Sequence, residues 1–297
     1  MTAWILKLVS LDLSYNVFSD QLTPNKNTLE GLVHNLIEVR HLFLDRIIMP
    51  SINPNIFMNL SSSIKSLSPG GCDLQGKFSR NILHSPNLNL LNLGYNRNLS
   101  LDLLKFYQSS NLEHLDLSWM SFTKLIDLID NLHGSISRSL GNLLWLIYLD
   151  LSWNQLSGQV PLSIVNLTQL EHLRIAENSL EGPIPDEVAA FPNLIYLDLS
   201  NILPNEKLLS WLYNASSSME VYLSQNQFML GNNKLQGHLP SSIFQFLNLT
   251  WLLLYSNNLS GVIEFGMFSN LPNLEYLDLS LNNLSLSSNN VSQFPHF

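Results

Sequence analysis

Asp12, Asp116, Asp150, Asp198 and Asp278 recur in one short motif, L-D-L-S, and carboxylates repeated at a fixed place could in principle ligate a metal or carry acid/base chemistry. Each comes from a different segment, so the fold would have to bring them together. No partner chemistry accompanies them: the chain lacks H-E-x-x-H, G-x-S-x-G, a Walker loop, a G-x-G-x-x-G turn after a strand, and any Cys/His ligand set. In L-D-L-S the leucines alternate with the polar residues, so the expected place of these carboxylates is a water-facing strand surface. Cys72 is the single cysteine, with no His or second Cys near it in sequence, and reads as a small buried residue rather than a reactive thiol. No catalytic residue, metal or cofactor is expected, and the chain is read as non-enzymatic.

The motif belongs to a longer unit that must position it. In LIYLDLSWNQLSGQVP, residues 146–161, Leu146, Leu149, Leu151, Asn154 and Leu156 form L-x-x-L-x-L-x-x-N-x-L, followed by Gly158, Val160 and Pro161 as G-x-aliphatic-P. LEHLRIAENSLEGPIP repeats it with Asn178, 24 residues on, and LTWLLLYSNNLSGVIE and LEYLDLSLNNLSL do so with Asn257 and Asn282, 25 residues apart. This period and consensus are those of a leucine-rich repeat. The expected fold is α/β: a curved right-handed solenoid with a concave parallel sheet and an irregular or short-helical convex side. Each strand is too short to bury its leucine face alone, so rungs must stack in register. The Asn after each strand can satisfy backbone groups that the turn leaves unpaired, forming a ladder.

Ladder positions fall at Asn16, Ile47, Cys72, Asn96, Met120, Asn154, Asn178, Ile202, Asn226, Asn257 and Asn282, which gives eleven rungs of about 24 residues in one array over 1–297. Asn131 and Asn233 follow their predecessors too closely to be rungs of their own. Irregular insertions are therefore expected near 17–38, 121–143 and 227–245. Ile47, Met120 and Ile202 cannot donate through an amide, so carbonyls should go unsatisfied there and weaken packing.

Composition narrows the partners. Charged residues make up 12% and net charge is -9, which disfavours nucleic acid and anionic membrane surfaces. No apolar run reaches the roughly 18 to 20 residues that span a bilayer. The first residues are already in repeat phase, through Leu8, Leu11, Leu13 and Asn16, so no signal peptide is read there. A single cysteine cannot form the disulfide of a terminal cap, and uncapped ends are expected to expose leucines and strand edges and to lower solubility.

The strand consensus LxYLDLSxN followed by LxGxIP resembles the plant-type leucine-rich repeat. SSSIKSLSPGGCDLQGKFSRNILHSPNLNLLNLGYNRNLS is similar to the N-terminal half of the ectodomain of plant leucine-rich-repeat receptor-like proteins, including the Cf-type disease-resistance group. The resemblance implies an extracellular or plasma-membrane setting in defence or developmental signalling, a protein, peptide or glycan ligand from a pathogen or from the plant itself, and a co-receptor kinase as partner. Lacking signal peptide, paired cap cysteines and membrane helix, the chain reads as a truncated ectodomain; the alternatives are a secreted polygalacturonase-inhibitor-like protein and a non-functional remnant of a receptor gene. N-x-[ST] sequons at Asn59, Asn98, Asn166, Asn214, Asn248, Asn258, Asn283 and Asn290 suit a secretory history.

The expected binding surface follows from the repeat. Six residues before the ladder position, the outward column reads His41, His114, Tyr148, His172, Tyr196, Trp251 and Tyr276; one residue before it stand Tyr15, Tyr95, Trp119 and Trp153. Neighbouring strands should assemble these into an aromatic strip, with Arg174, Glu177 and Glu220 as scattered charge. Exposed Tyr and Trp are enriched at interface hot spots, so a ligand is expected across His114, Tyr148, His172 and Tyr196.

Overall fold

The structure is a computed structural model, and it describes residues 7–16, 26–101, 110–120, 134–181, 191–202, 219–224, 236–239 and 241–287. Its centre is a parallel sheet of eleven short strands whose spatial order is their order in the chain. They are β1 (Ser10–Asp12), β2 (His41–Phe43), β3 (Ser66–Ser68), β4 (Leu90–Asn92), β5 (His114–Asp116), β6 (Tyr148–Asp150), β7 (His172–Arg174), β8 (Tyr196–Asp198), β9 (Met219–Tyr222), β10 (Leu249–Leu253) and β11 (Tyr276–Asp278). This is the leucine-rich-repeat coil that the spacing predicts.

Strand alternation decides what is buried. Leu42, Leu67, Leu91, Leu115, Leu149, Leu173, Leu197, Val221 and Leu252 point inward and are nearly inaccessible, each such side chain contributing about 1.5–3 kcal/mol of burial. Their neighbours on either side point outward. Register is strict across the centre: His114 pairs with Tyr148, Tyr148 with His172, and His172 with Tyr196. On the convex side the chain passes through 3₁₀ turns at Pro54–Asn59, Arg80–His84, Arg138–Asn142, Leu162–Asn166, Ser241–Gln245 and Phe265–Asn270. Asn53, Ser79 and Ser137 open three of them by accepting a backbone N–H.

The Asn ladder has a consistent wiring. Asn178 donates through Nδ2 to Ile175 O of its own rung and to Leu151 O of the rung before, both at 2.9 Å, while its Oδ1 accepts from Leu156 N. Asn96 makes the same bonds to Leu93 O and Pro69 O, and its Oδ1 accepts from Cys72 N and Leu74 N. Each amide thus serves two rungs, which corrects the expectation of unsatisfied carbonyls at Met120 and Ile47; the position after Ile202, Asn226, lies outside the described residues. At Met120, Asn154 reaches back to Leu117 O at 2.9 Å and accepts from Met120 N. At Ile47, the Cys72 thiol donates to Leu44 O at 3.0 Å. Cys72 is fully buried, and that burial pushes its thiol pKa up to about 12, so it is a ladder member rather than a nucleophile.

Of the expected insertions, 17–25, 121–133, 227–235 and 240 lie outside the described residues. Residues 26–35 form a helix, α1 (Lys26–Asn35), the turn Arg138–Asn142 runs in step with the one at Leu162–Asn166, and Gln236–Gly237 pairs with Asn258–Leu259. No helix among the described residues is long and apolar enough to cross a membrane.

Candidate functional site: two ring columns on the concave sheet

The outward face of the sheet holds three parallel columns: a first ring column, a lane one two-residue strand period beyond it, and a second ring column in the turn three residues further on. In the first, His114 stacks on Tyr148 with ring centroids 4.1 Å apart and planes 6° from parallel; Tyr148, His172 and Tyr196 follow at 5.7 and 5.9 Å. Glu220 then takes the column position, and the ring succession moves sideways to Tyr222, 5.0 Å from Tyr196. Trp251 and Tyr276 form a separate pair at 5.0 Å, both substantially exposed. His41 stands apart from the others, since Ser66 and Leu90 occupy the two rungs between it and His114; its Nδ1 lies 3.0 Å from Ser66 Oγ. The rings therefore make a central block and a second pair rather than an unbroken strip.

The second column runs beyond the strand ends. Tyr15, Arg46, Gly71, Tyr95, Trp119, Trp153, Glu177, Asn201, Ser256 and Leu281 all adopt φ between 50° and 65°. This left-handed conformation is costly for a side-chain-bearing residue, and interstrand bonds hold it: Tyr95 N donates to Ser118 O, Trp119 N to Ser152 O, Trp153 N to Ala176 O and Glu177 N to Ser200 O. The turn thus continues the ladder and lines up the side chains it carries. Tyr95 and Trp119 stack at 6.1 Å, and Trp119 and Trp153 at 4.5 Å. Arg46 lies 5.0 Å from the Tyr95 centroid and Arg97 4.4 Å from that of Trp119.

Between the columns lies the L-D-L-S lane, and here a second expectation is corrected. Asp150 does not face water; it is 3% exposed. Its carboxylate accepts from Ser152 N, from Ser152 Oγ and from the Tyr148 hydroxyl, and pairs with Arg174 at 3.2 Å. The flanking rings cover the lane, so charge here is held at a cost. Burial, reinforced by the nearby Asp150 charge, pushes Asp116 up to about 6, and burial together with His172 pulls His114 down to about 4. Burial and the Asp150 carboxylate raise the Tyr148 hydroxyl to about 12, and Tyr196 is raised as well. Arg174 is held as a cation by Asp150 against the opposing effect of burial, and its guanidinium lies 5.6 Å from the Tyr196 centroid. Among the described residues, no group of three or more His, Cys, Asp or Glu is placed to hold a metal ion.

Sequence reasoning missed Tyr222, Arg46 and Arg97. Tyr222 occupies the column otherwise filled by Asp116, Asp150, Arg174 and Asp198, so reading every outward column would have found it. Of the sequon asparagines, Asn59, Asn98, Asn166, Asn258 and Asn283 are exposed and Asn248 is half-buried, while Asn214 and Asn290 lie outside the described residues.

Residues 145–167 match the family model for the Leucine Rich Repeat. The chain is 31% identical over 153 residues to receptor-like protein 6 of Arabidopsis thaliana, a stretch covering 50% of this chain and 14% of that protein. Among solved structures, that of a TDR receptor superposes with a TM-score of 0.68 at 27% identity, covering 94% of this chain and 44% of the receptor. The Arabidopsis receptor kinase HAESA, solved in complex with the peptide hormone IDA and the co-receptor SERK1, superposes with a TM-score of 0.57 at 24% identity, covering 94% of this chain and 50% of that one. The chain thus spans less than half the length of the first two of these proteins.

Proposed function

We propose that this leucine-rich-repeat chain, similar to plant receptor ectodomains, is a protein-interaction module that docks a peptide or protein ligand on its concave face, as part of the extracellular ligand-binding region of a receptor-like protein. The observation that carries the reading is the block His114, Tyr148, His172 and Tyr196, four rings in consecutive register on one face. The four residues are half-buried, and the Tyr148 hydroxyl is tied to Asp150 beneath, so the block is held in one arrangement. A surface already ordered in this way loses little side-chain entropy when a partner binds. Arg174 and Asp150 supply a fixed polar pair beneath the rings. HAESA shows the same fold in a complex with a peptide and a co-receptor, and we assign a co-receptor kinase here as the corresponding second partner. Exposed sequons such as Asn166 and Asn258 would carry glycans outside the ring block.

The test is cross-linking followed by mutation. A photo-reactive residue at position 148 or 196 captures secreted plant peptides; the captured peptide is identified, synthesised and titrated against the unlabelled chain. Tyr148→Ala and Tyr196→Ala are each expected to weaken binding by about 1–2 kcal/mol with an unchanged circular dichroism spectrum. Unaltered affinity in the double variant would move the site to the flanking loops.

A further inference from the structure

The second column handles cations in a way that points to the chemistry of the ligand. Three rings of the concave face already carry a guanidinium of the chain itself: Tyr95 under Arg46, Trp119 under Arg97, and Tyr196 under Arg174. Trp153 is different. One of its faces lies against Trp119 at 4.5 Å, no cation among the described residues lies over its ring, and the residue is 46% exposed. The next side chain in its column is Glu177. Trp153 N donates to Ala176 O at 3.0 Å and Asn154 N to Glu177 O at 3.2 Å, so the two side chains leave adjacent rungs from the same left-handed backbone position. Asn201 Nδ2, on the rung beyond, donates to Glu177 Oε2 at 2.7 Å and holds that one carboxylate oxygen.

We infer that Trp153 and Glu177 form a seat for a guanidinium or ammonium group, so that the peptide taken by this face is a basic one. The inference rests on the concave face being the docking surface. Indole is the strongest cation-π partner among side chains, and a carboxylate one rung away, at about 4.8 Å of strand spacing, can add a charge-assisted hydrogen bond to the same group. Among the described residues, carboxylates outnumber free cations around it: Asp116, Glu171, Asp198 and Glu220 stand on the central rungs, Arg174 is paired to Asp150, and Arg46 and Arg97 are seated on Tyr95 and Trp119. An anionic ligand would meet this excess of carboxylates unfavourably.

The experiment uses the 297-residue chain labelled with 5-fluorotryptophan, the Trp153 resonance being assigned by its loss in Trp153→Phe. Acetyl-Gly-Arg-Gly-amide is titrated beside the same peptide carrying citrulline, which keeps the shape and removes the charge. The arginine peptide is expected to shift the Trp153 signal with a midpoint about tenfold lower than the citrulline peptide. Glu177→Gln should remove most of that preference and leave the other tryptophan signals in place, while Glu264→Gln, on the separate convex-side sheet, should change nothing. Equal responses to the two peptides, or a preference that survives Glu177→Gln, would overturn the inference. A cross-linked ligand that depends on Tyr148 and Tyr196 but ignores Glu177 would refute the basic-peptide seat alone. A seat at Trp153 with no effect of Tyr148 or Tyr196 on ligand affinity would instead refute the ring-block reading.

Discussion

His114 and Asp116 sit on the same face of β5, two residues apart, and titrate in opposite senses. His114 is held down at about 4 by burial and by His172, so on acidification the unfolded chain takes up a proton near its ordinary value while the folded chain does not. Stability from His114 is therefore present above about pH 6.5 and lost as pH falls towards 4. Asp116 is raised to about 6 by burial and by Asp150, so the folded chain holds a proton that the unfolded chain has released. Its contribution is present below about pH 4 and lost as pH rises through 6. Each shift corresponds to about 3 kcal/mol, so within this window the two nearly offset each other and the wild type should show little net dependence from the pair. The variants separate them. His114→Phe, which keeps the stack on Tyr148, should gain stability relative to wild type between pH 7 and 4.5. Asp116→Asn, which can still accept from Ser118, should lose relative stability over the same interval. Urea unfolding at the two pH values measures both; parallel curves for all three proteins would show that neither group is perturbed.

The ladder amides set the strength of the coil one element at a time. Asn154 is the donor that reaches Leu117 O across the Met120 rung, whereas Leu151 O also receives Asn178. Asn154→Ala leaves Leu117 O and Met120 N without that partner, at a cost of about 2–4 kcal/mol. Met120→Asn, which restores the consensus, should bring no gain, because the carbonyls it could reach are already served by Asn96 and Asn154; thermal melts decide between this and a stabilisation. The sequence showed which positions form the ladder and the inward column, because leucine alternation and Asn spacing are local properties of the chain. It did not show that each amide serves two rungs, since that depends on how far one turn stands above the next. The burial of Asp150 was hidden for the same reason: its cover comes from Tyr148 and Arg174 acting together. The ring columns were legible as lists of residues, but Glu220 and Tyr222 show that a stack can leave its column, which only the packed geometry reveals.

On the scale of the whole molecule, each rung touches its neighbours in order, so strain should travel along the coil and fade. The ring block occupies β5 to β8, and its register depends on the leucines directly beneath it. Leu149→Ala, in the fully buried centre of β6, should cost about 2–5 kcal/mol and loosen the rungs of Leu115 and Leu173 most. Leu42→Ala, in β2, removes an equally buried side chain at a distance of several rungs. Hydrogen exchange read by mass spectrometry should show lost protection around residues 114–120 and 172–178 in the first variant, and around 10–16 and 66–72 in the second. Binding follows the same map. Leu149→Ala should weaken any ligand of the concave face because Tyr148 and Asp150 flank it on the strand, whereas Leu42→Ala should leave that affinity unchanged at temperatures where both variants are folded. Equal losses of affinity, with protection lost uniformly along the coil, would mean that the array melts as one unit and that a site four rungs wide cannot be tuned apart from the rest.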